Sequence, residues 1–155
     1  MKIIIAPDSF KESMTASEAA QAIYAGFKPI FPTATYELIP LADGAVELAI
    51  ALTDLKQKAT ASDILLTGEG SLDSQTKLGK TPLGVLRAVR DVSPDCTVIG
   101  LAGKIEAVFE LHQLGFDAVF SCIPGIIDLD QALKLGPKHL TQTINEVAHL
   151  VQKFV

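Results

Sequence analysis

The chain reads as an α/β protein: a doubly wound, Rossmann-like open sheet of about five mostly parallel strands with helices on both faces. Three observations predict it. Short apolar runs alternate with amphipathic stretches five times along the chain, the pattern of βα units joined by right-handed crossovers. The composition is 48% hydrophobic with a mean hydropathy of +0.34, which favours strands buried on both faces. The 155 residues suit one domain over residues 1–155, able to bury about two-thirds of the surface that the unfolded chain exposes.

Each element has its own signal. Lys2 to Ala6 is a β-rich apolar run that Pro7 terminates. Thr15-Ala16-Ser17-Glu18 has capping-box spacing and opens a helix to about Lys28, with Ala19, Ala20, Ile23 and Phe27 as its buried stripe. Pro29 and Pro32 end it. Tyr36 to Leu41 is a second strand, followed by Asp43-Gly44 and a helix from Ala45 to about Lys58. Ile64-Leu65-Leu66 is a third, short strand that breaks into a long polar loop containing Gly68, Gly70 and Gly79. The loop closes on Thr81-Pro82, a helix start with proline at the first helical position, and that helix runs to Asp91. Thr97 to Ala102 is a strand ending in Gly103-Lys104. Glu106 to Leu114 is a helix closed by Gly115 as a left-handed cap. Ala118 to Ile123 is the fifth strand. Asp128 caps a last helical region to Lys153, broken at Gly136-Pro137.

The polar residues fall at the carboxyl ends of these strands, the side on which open α/β sheets bind ligands. Asp8, Ser9 and Lys11 follow the first strand, Asp43 the second, Glu69 and Asp73 the third, and Lys104 the fourth. Backbone N–H groups at the helix start after the glycine-bearing loop, with Lys80 beside them, attract an anion such as phosphate. Hard carboxylates in the same loop commonly hold magnesium. Phosphoryl transfer needs cations, a metal site and a group that orients the attacking hydroxyl. Lys11 and Lys80 supply the first, and Asp8, Asp43, Glu69 and Asp73 are candidates for the others. Singly, each acid reads better as a solvated loop carboxylate or a helix cap; their recurrence at successive strand ends is what points to a site.

Simpler motifs fail. Gly79-Lys80-Thr81 fits the end of a Walker A motif, but Ser74 stands where its first glycine belongs, and Gly68-Glu69-Gly70 lacks the last glycine of a dinucleotide fingerprint. Ser9 and Ser71 lack a nucleophile elbow. His112, His139 and His149 lie in helices, distant in sequence from the polar edge, and read as surface or core residues. A net charge of −5 and a pI near 5.1 speak against a nucleic-acid partner. No apolar run approaches the roughly 18 residues of a membrane span, and the start MKIIIAPDS has too short an apolar stretch to read as a signal peptide. Cys96 and Cys122 lack CxxC spacing and read as buried free thiols. A cytoplasmic location is expected.

Taken together, IAPDSFKESMTASEAAQAI, PLADG at Pro40–Gly44 and LLTGEGSLDSQTKLGKTPLGV resemble the class I bacterial glycerate kinases, as do the later LAGK and FDAVFSCIPGI segments. The resemblance covers nearly the whole chain. It implies a kinase that phosphorylates D-glycerate with ATP and magnesium (Mg2+), giving 2-phosphoglycerate. By motif match it implies Asp8, Ser9, Lys11, Asp43, Glu69, Asp73, Gln75 and Lys80 as site residues. Gly68, Gly70, Gly79 and Thr81 then serve nucleotide binding, and Glu69 and Asp73 hold the metal. The chain departs from that pattern at one place. Family members are longer and continue after Ala-Asp-Gly with Gly-Glu-Gly-Thr and a second α/β domain, whereas here Gly44 is followed directly by AVELAIALTDL. The resemblance therefore implies a Rossmann-like core joined at Gly44/Ala45, with turnover impaired and an exposed apolar surface that favours self-association. The alternative is a non-catalytic core with weak nucleotide or phosphate binding.

Overall fold

In the computed structural model, residues 1–41, 45–73 and 81–155 are described. Their elements, in chain order, are β1 (Lys2–Ile5), α1 (Ala16–Phe27), β2 (Thr35–Leu38), α2 (Ala45–Lys58), β3 (Ile64–Leu72), α3 (Thr81–Val92), β4 (Thr97–Ile105), α4 (Val108–Leu114), β5 (Ala118–Ser121), α5 (Leu129–Lys134) and α6 (Gly136–Val151). The five strands form one sheet in the order β2-β1-β3-β4-β5, and every pairing is parallel. That order is doubly wound. It reverses direction between β1 and β3, and such a switch point leaves a crevice at the carboxyl ends of the strands.

The period-two alternation of side chains splits each buried strand between two cores. Ile3, Ile5, Ile64, Leu66, Ile99 and Leu101 face one side, where α1 and α6 cover them with Ile23, Phe27, Leu140 and Ile144. Ile4, Leu65, Val98 and Ala102 face the other, under α2, α3 and α4 through Leu55, Leu86, Val89 and Leu111. Ile3, Ile4 and Ile5 are all fully buried, and each such side chain contributes about 1.5–3 kcal/mol. This is why the apolar runs at β1 and β3 are continuous: neither face of the central strands meets water.

The local signals hold. Thr15 caps α1, accepting from Glu18 N while the Glu18 carboxylate accepts from Thr15 N, the reciprocal pair that the spacing implies. Gly115 ends α4 in the left-handed region at φ 113°, and the Asp128 side chain accepts from Gln131 N to open α5. The last helical region breaks at Leu135, just ahead of Gly136-Pro137. Edges differ more. The β2 ladder stops at Leu38, although Ile39 and Leu41 still donate to Ile5 and Pro7 carbonyls. The α4 helix starts two residues later than expected because Ala107 sits in the left-handed region. In α3, Pro82 is the second residue, still in the first turn, where a missing N–H costs no helix bond.

The largest difference concerns β3 and β4. The third strand does not break after Leu66. It continues through Gly68-Glu69-Gly70 to Leu72, paired with β4 as far as Leu72↔Ile105. Gly68 and Gly70 are strand residues, not loop residues, and so is Lys104. The reason is contact: a Cβ at Gly68 would overlap the Leu101 carbonyl oxygen, so the two backbones approach more closely there than any other residue permits.

Candidate functional site

The chain leaving β1 stays alongside β3 beyond the end of its ladder. Ala6 N donates to Leu66 O and Asp8 N to Gly68 O, each at 2.9 Å. Pro7, between them, has no N–H to place. The buried Thr67 hydroxyl donates to Ala6 O at 2.7 Å, fixing the strand exit from the side. Asp8 turns its carboxylate to its neighbour, with Oδ1 accepting from Ser9 N at 2.6 Å. Phe10 and Met14 then bridge in an antiparallel turn, which Glu12 completes at φ 63°. Lys11 stands in that turn, exposed, and makes no ion pair with any described residue. Gly70 lies against it: a Cβ there would come within 3.6 Å of Lys11 N, and a Cβ at Gly103 on β4 within 3.2 Å of Gly70 O. Asp8, Ser9 and Lys11 are thus laid along Gly68, Glu69 and Gly70, with β4 behind.

Further along β3 the polar character continues. Glu69 and Asp73 are half-buried, and the Ser71 hydroxyl donates to Asp73 Oδ2 at 3.2 Å. Lys104 pairs with Glu106 at 2.8 Å, and that hydrogen-bonded carboxylate holds its ammonium above the usual lysine range. Asp43, Gln75, Gly79 and Lys80 lie outside the described residues; Thr81 is the first residue of α3. Among the described residues no three His, Cys, Asp or Glu side chains cluster as a metal site.

Two cavities open on either side of the segment after β1. One, of about 360 Å³, is lined by Asp8, Ser9, Thr15, Ser17 and Leu41, where the start of α1 meets the end of β2. The other, of about 370 Å³, lies between the Phe10–Met14 turn, Gly70, Gly103 and the α5–α6 corner. That corner is clasped to the turn. Ser13 Oγ donates to Leu133 O at 2.8 Å across 120 residues of chain, and Gly136 is so close to Ser13 that a Cβ would overlap its hydroxyl.

His139 is a core residue, as its sequence setting suggests, but this second cavity brings it to the polar edge. Distant in sequence, it nevertheless lines the same cavity as Lys11 and Lys104. It is 8% exposed, and its Nδ1 has no hydrogen-bond partner among the described residues. Cys122 lines the cavity too, with burial pushing its thiol up to about 12. No spacing rule identifies these residues; the one hint was the Gly136-Pro137 break, which turns α6 back over the edge. No helix among the described residues is long and apolar enough to cross a membrane.

Comparison with known proteins bears on this edge. A model described as the glycerate kinase family matches residues 3–46 and 45–152. The chain is 36% identical over 104 residues to a glycerate kinase of Bacillus subtilis (strain 168), a stretch covering 66% of this chain and 27% of that protein. It is 40% identical over 116 residues to a glycerate kinase of Halalkalibacterium halodurans, covering 72% of this chain and 28% of that one. A shorter match, 61% over 56 residues, is to a glycerate 2-kinase of Escherichia coli (strain K12), covering 34% of this chain and 15% of that protein. The chain thus spans little more than a quarter of the length of the curated relatives it matches most broadly. Among solved structures it is similar to a Salmonella typhimurium LT2 protein described as glycerate kinase 2. The TM-score is 0.72 at 17% identity, covering 99% of this chain and 98% of that one, and at that identity the likeness speaks to the fold.

Proposed function

Because the chain belongs to the glycerate kinase family, we propose that the edge around β1 and β3 binds ATP with magnesium and D-glycerate and transfers the γ-phosphate, giving 2-phosphoglycerate. One observation carries the reading. Asp8 is held on Gly68 by its backbone while Lys11 abuts Gly70, so Asp8, Glu69, Asp73 and a lysine with no ion pair among the described residues share one edge. Lys11, with Lys80, would offset phosphate charge, and Asp8, with Asp43, would orient the attacking hydroxyl. Glu69 and Asp73 are hard-oxygen donors that fit magnesium. That ion needs only one or two protein carboxylates when substrate phosphates complete its shell, and it would supply charge neutralisation there. The reading carries with it a cytoplasmic location, where ATP is made available.

The reading also keeps a core joined near Gly44/Ala45, supported by the family model matching in two pieces that meet at residues 45–46. A phosphoryl transfer site must hold both substrates in line and exclude water, so turnover is expected to be slow. The short span relative to the relatives favours a second reading, a core that binds nucleotide without turnover.

A coupled assay of ADP release with D-glycerate, ATP and magnesium separates them, run beside Glu69→Gln and Lys80→Ala. The kinase reading expects glycerate-dependent release that falls about 100-fold in each variant. A folded protein whose melting temperature rises with ATP and magnesium but which releases no ADP selects the second reading. Neither response removes both.

A further inference from the structure

We propose that the groove at the amino ends of β3, β4 and β5 is where two copies of this chain meet, each seating the Phe154 side chain of the other. The inference draws nothing from the reading of the carboxyl edge.

The groove opens because two elements stop. The sheet ends at β5, which pairs with β4 alone among the described strands, and α6 ends at Val151. Ala118 and Phe120 of that edge strand are left half-buried. Phe120 lines the groove with Ile64, Ile99, Val147 and Val151, and all five belong to, or pack against, the core under α1 and α6. The groove is an opening onto that core.

Its rim is apolar too. Phe154 is 81% exposed and Leu150 54%, and both border the groove together with Met1 and Val155. The tail is held outward by a turn: Lys153 N donates to Leu150 O at 3.1 Å and Phe154 N to Val151 O at 2.9 Å. Apolar side chains gathered in one exposed patch mark an interaction surface.

A second copy matches this surface in shape and in charge. One patch carries both a projecting ring and an apolar recess, and a two-fold axis pairs such parts reciprocally, ring to recess and recess to ring. Lys153, next to the ring in sequence, and Asp95, on the groove lining, are both exposed. Neither makes an ion pair with a described residue. A Phe154 entering from a second copy brings its Lys153 toward Asp95. A small apolar ligand would fill the recess and leave both Phe154 and Lys153 in water. Because the parallel strands all run away from the groove, the pair leaves both carboxyl edges open.

The test is the mass of the full chain by sedimentation equilibrium over a dilution series. Wild type is expected to approach twice the 16.5 kDa of one chain at high concentration and to dissociate on dilution. Phe154→Asp, at an exposed position that leaves the core intact, is expected to raise the dissociation constant at least about tenfold. Lys153→Glu and Asp95→Lys should each raise it about threefold, and the double variant should restore it. A dimer that Phe154→Asp leaves intact overturns the inference by placing the contact elsewhere. A double variant that associates no better than either single variant overturns it as well. So does a wild type that stays monomeric at every concentration; if that monomer binds an apolar dye which Phe154→Asp releases, the groove is a ligand site instead.

Discussion

The two ends of the sheet hold opposite kinds of space. The larger cavity, about 1090 Å³, is at the amino ends of β3, β4 and β5, where Ile64, Thr97 and Ala118 begin their strands. Two of its carboxylates are committed to other elements. Asp63 accepts from Lys2 N at 2.6 Å, and Asp117 accepts from Val98 N at 2.7 Å and from Arg90 at 2.8 Å. Arg90 reaches the Pro94 and Gly115 carbonyls as well. The cavities at the carboxyl ends are a third of that size, yet one borders Lys11, which has no ion pair among the described residues. Volume reflects where helices happen to stop. Unspent hydrogen-bonding and charge capacity is the better mark of a site, and at the amino end Asp63 and Asp117 are instead staples between elements.

Substitutions at the two ends should therefore fail in different ways. The largest effect is expected from Gly68→Ala. The added methyl overlaps the Leu101 carbonyl within the β3–β4 ladder and should cost about 3 kcal/mol or more, read as a lower urea midpoint; a midpoint equal to wild type would mean that the close approach is not needed. Next comes Asp117→Ala at the opposite end. It strands the amide of the fully buried Val98 and releases Arg90, for an expected loss of about 2 kcal/mol. Nucleotide binding per folded molecule should stay as in wild type; weaker binding at unchanged stability would break the contrast between the two ends.

The smallest effect is alkaline. Burial pushes the Cys122 thiol from about 9 up to about 12, and burial likewise raises the Tyr36 phenol from 10.0 to about 12. Between those values the folded chain keeps protons that the unfolded chain releases. Stability is therefore undiminished below about pH 9 and declines as pH rises toward 12. Urea midpoints at pH 7, 9 and 10.5 should fall less steeply for Cys122→Ala than for wild type; parallel slopes would show that the thiol does not contribute.

Much of this was legible in the residues. The α/β alternation, the capping box at Thr15 and Glu18, the left-handed Gly115 and the placement of Asp8, Ser9, Lys11 and Asp73 after their strands all rest on local chemistry that a sequence displays; Glu69, expected after its strand, lies within β3. The length of β3 was not. Glycines and acids after Leu66 resemble a loop because propensity counts one strand at a time, whereas Gly68 to Leu72 are held by β4, and β4 by them. The place of His139 beside this edge was hidden for a related reason. Its position depends on α6 returning over β1, secured by Ser13 and Leu133, and contacts at that separation leave no periodic trace.

The mutual extension of β3 and β4 has a thermodynamic consequence for any ligand. Ser71 pairs with Lys104 and Leu72 with Ile105 in unbroken register, so Glu69 stands on sheet backbone rather than in a loop. Fixing a residue's backbone costs about 1–2 kcal/mol of conformational entropy. Along this stretch that cost falls on folding, so any ligand that binds there would meet backbone that is already ordered.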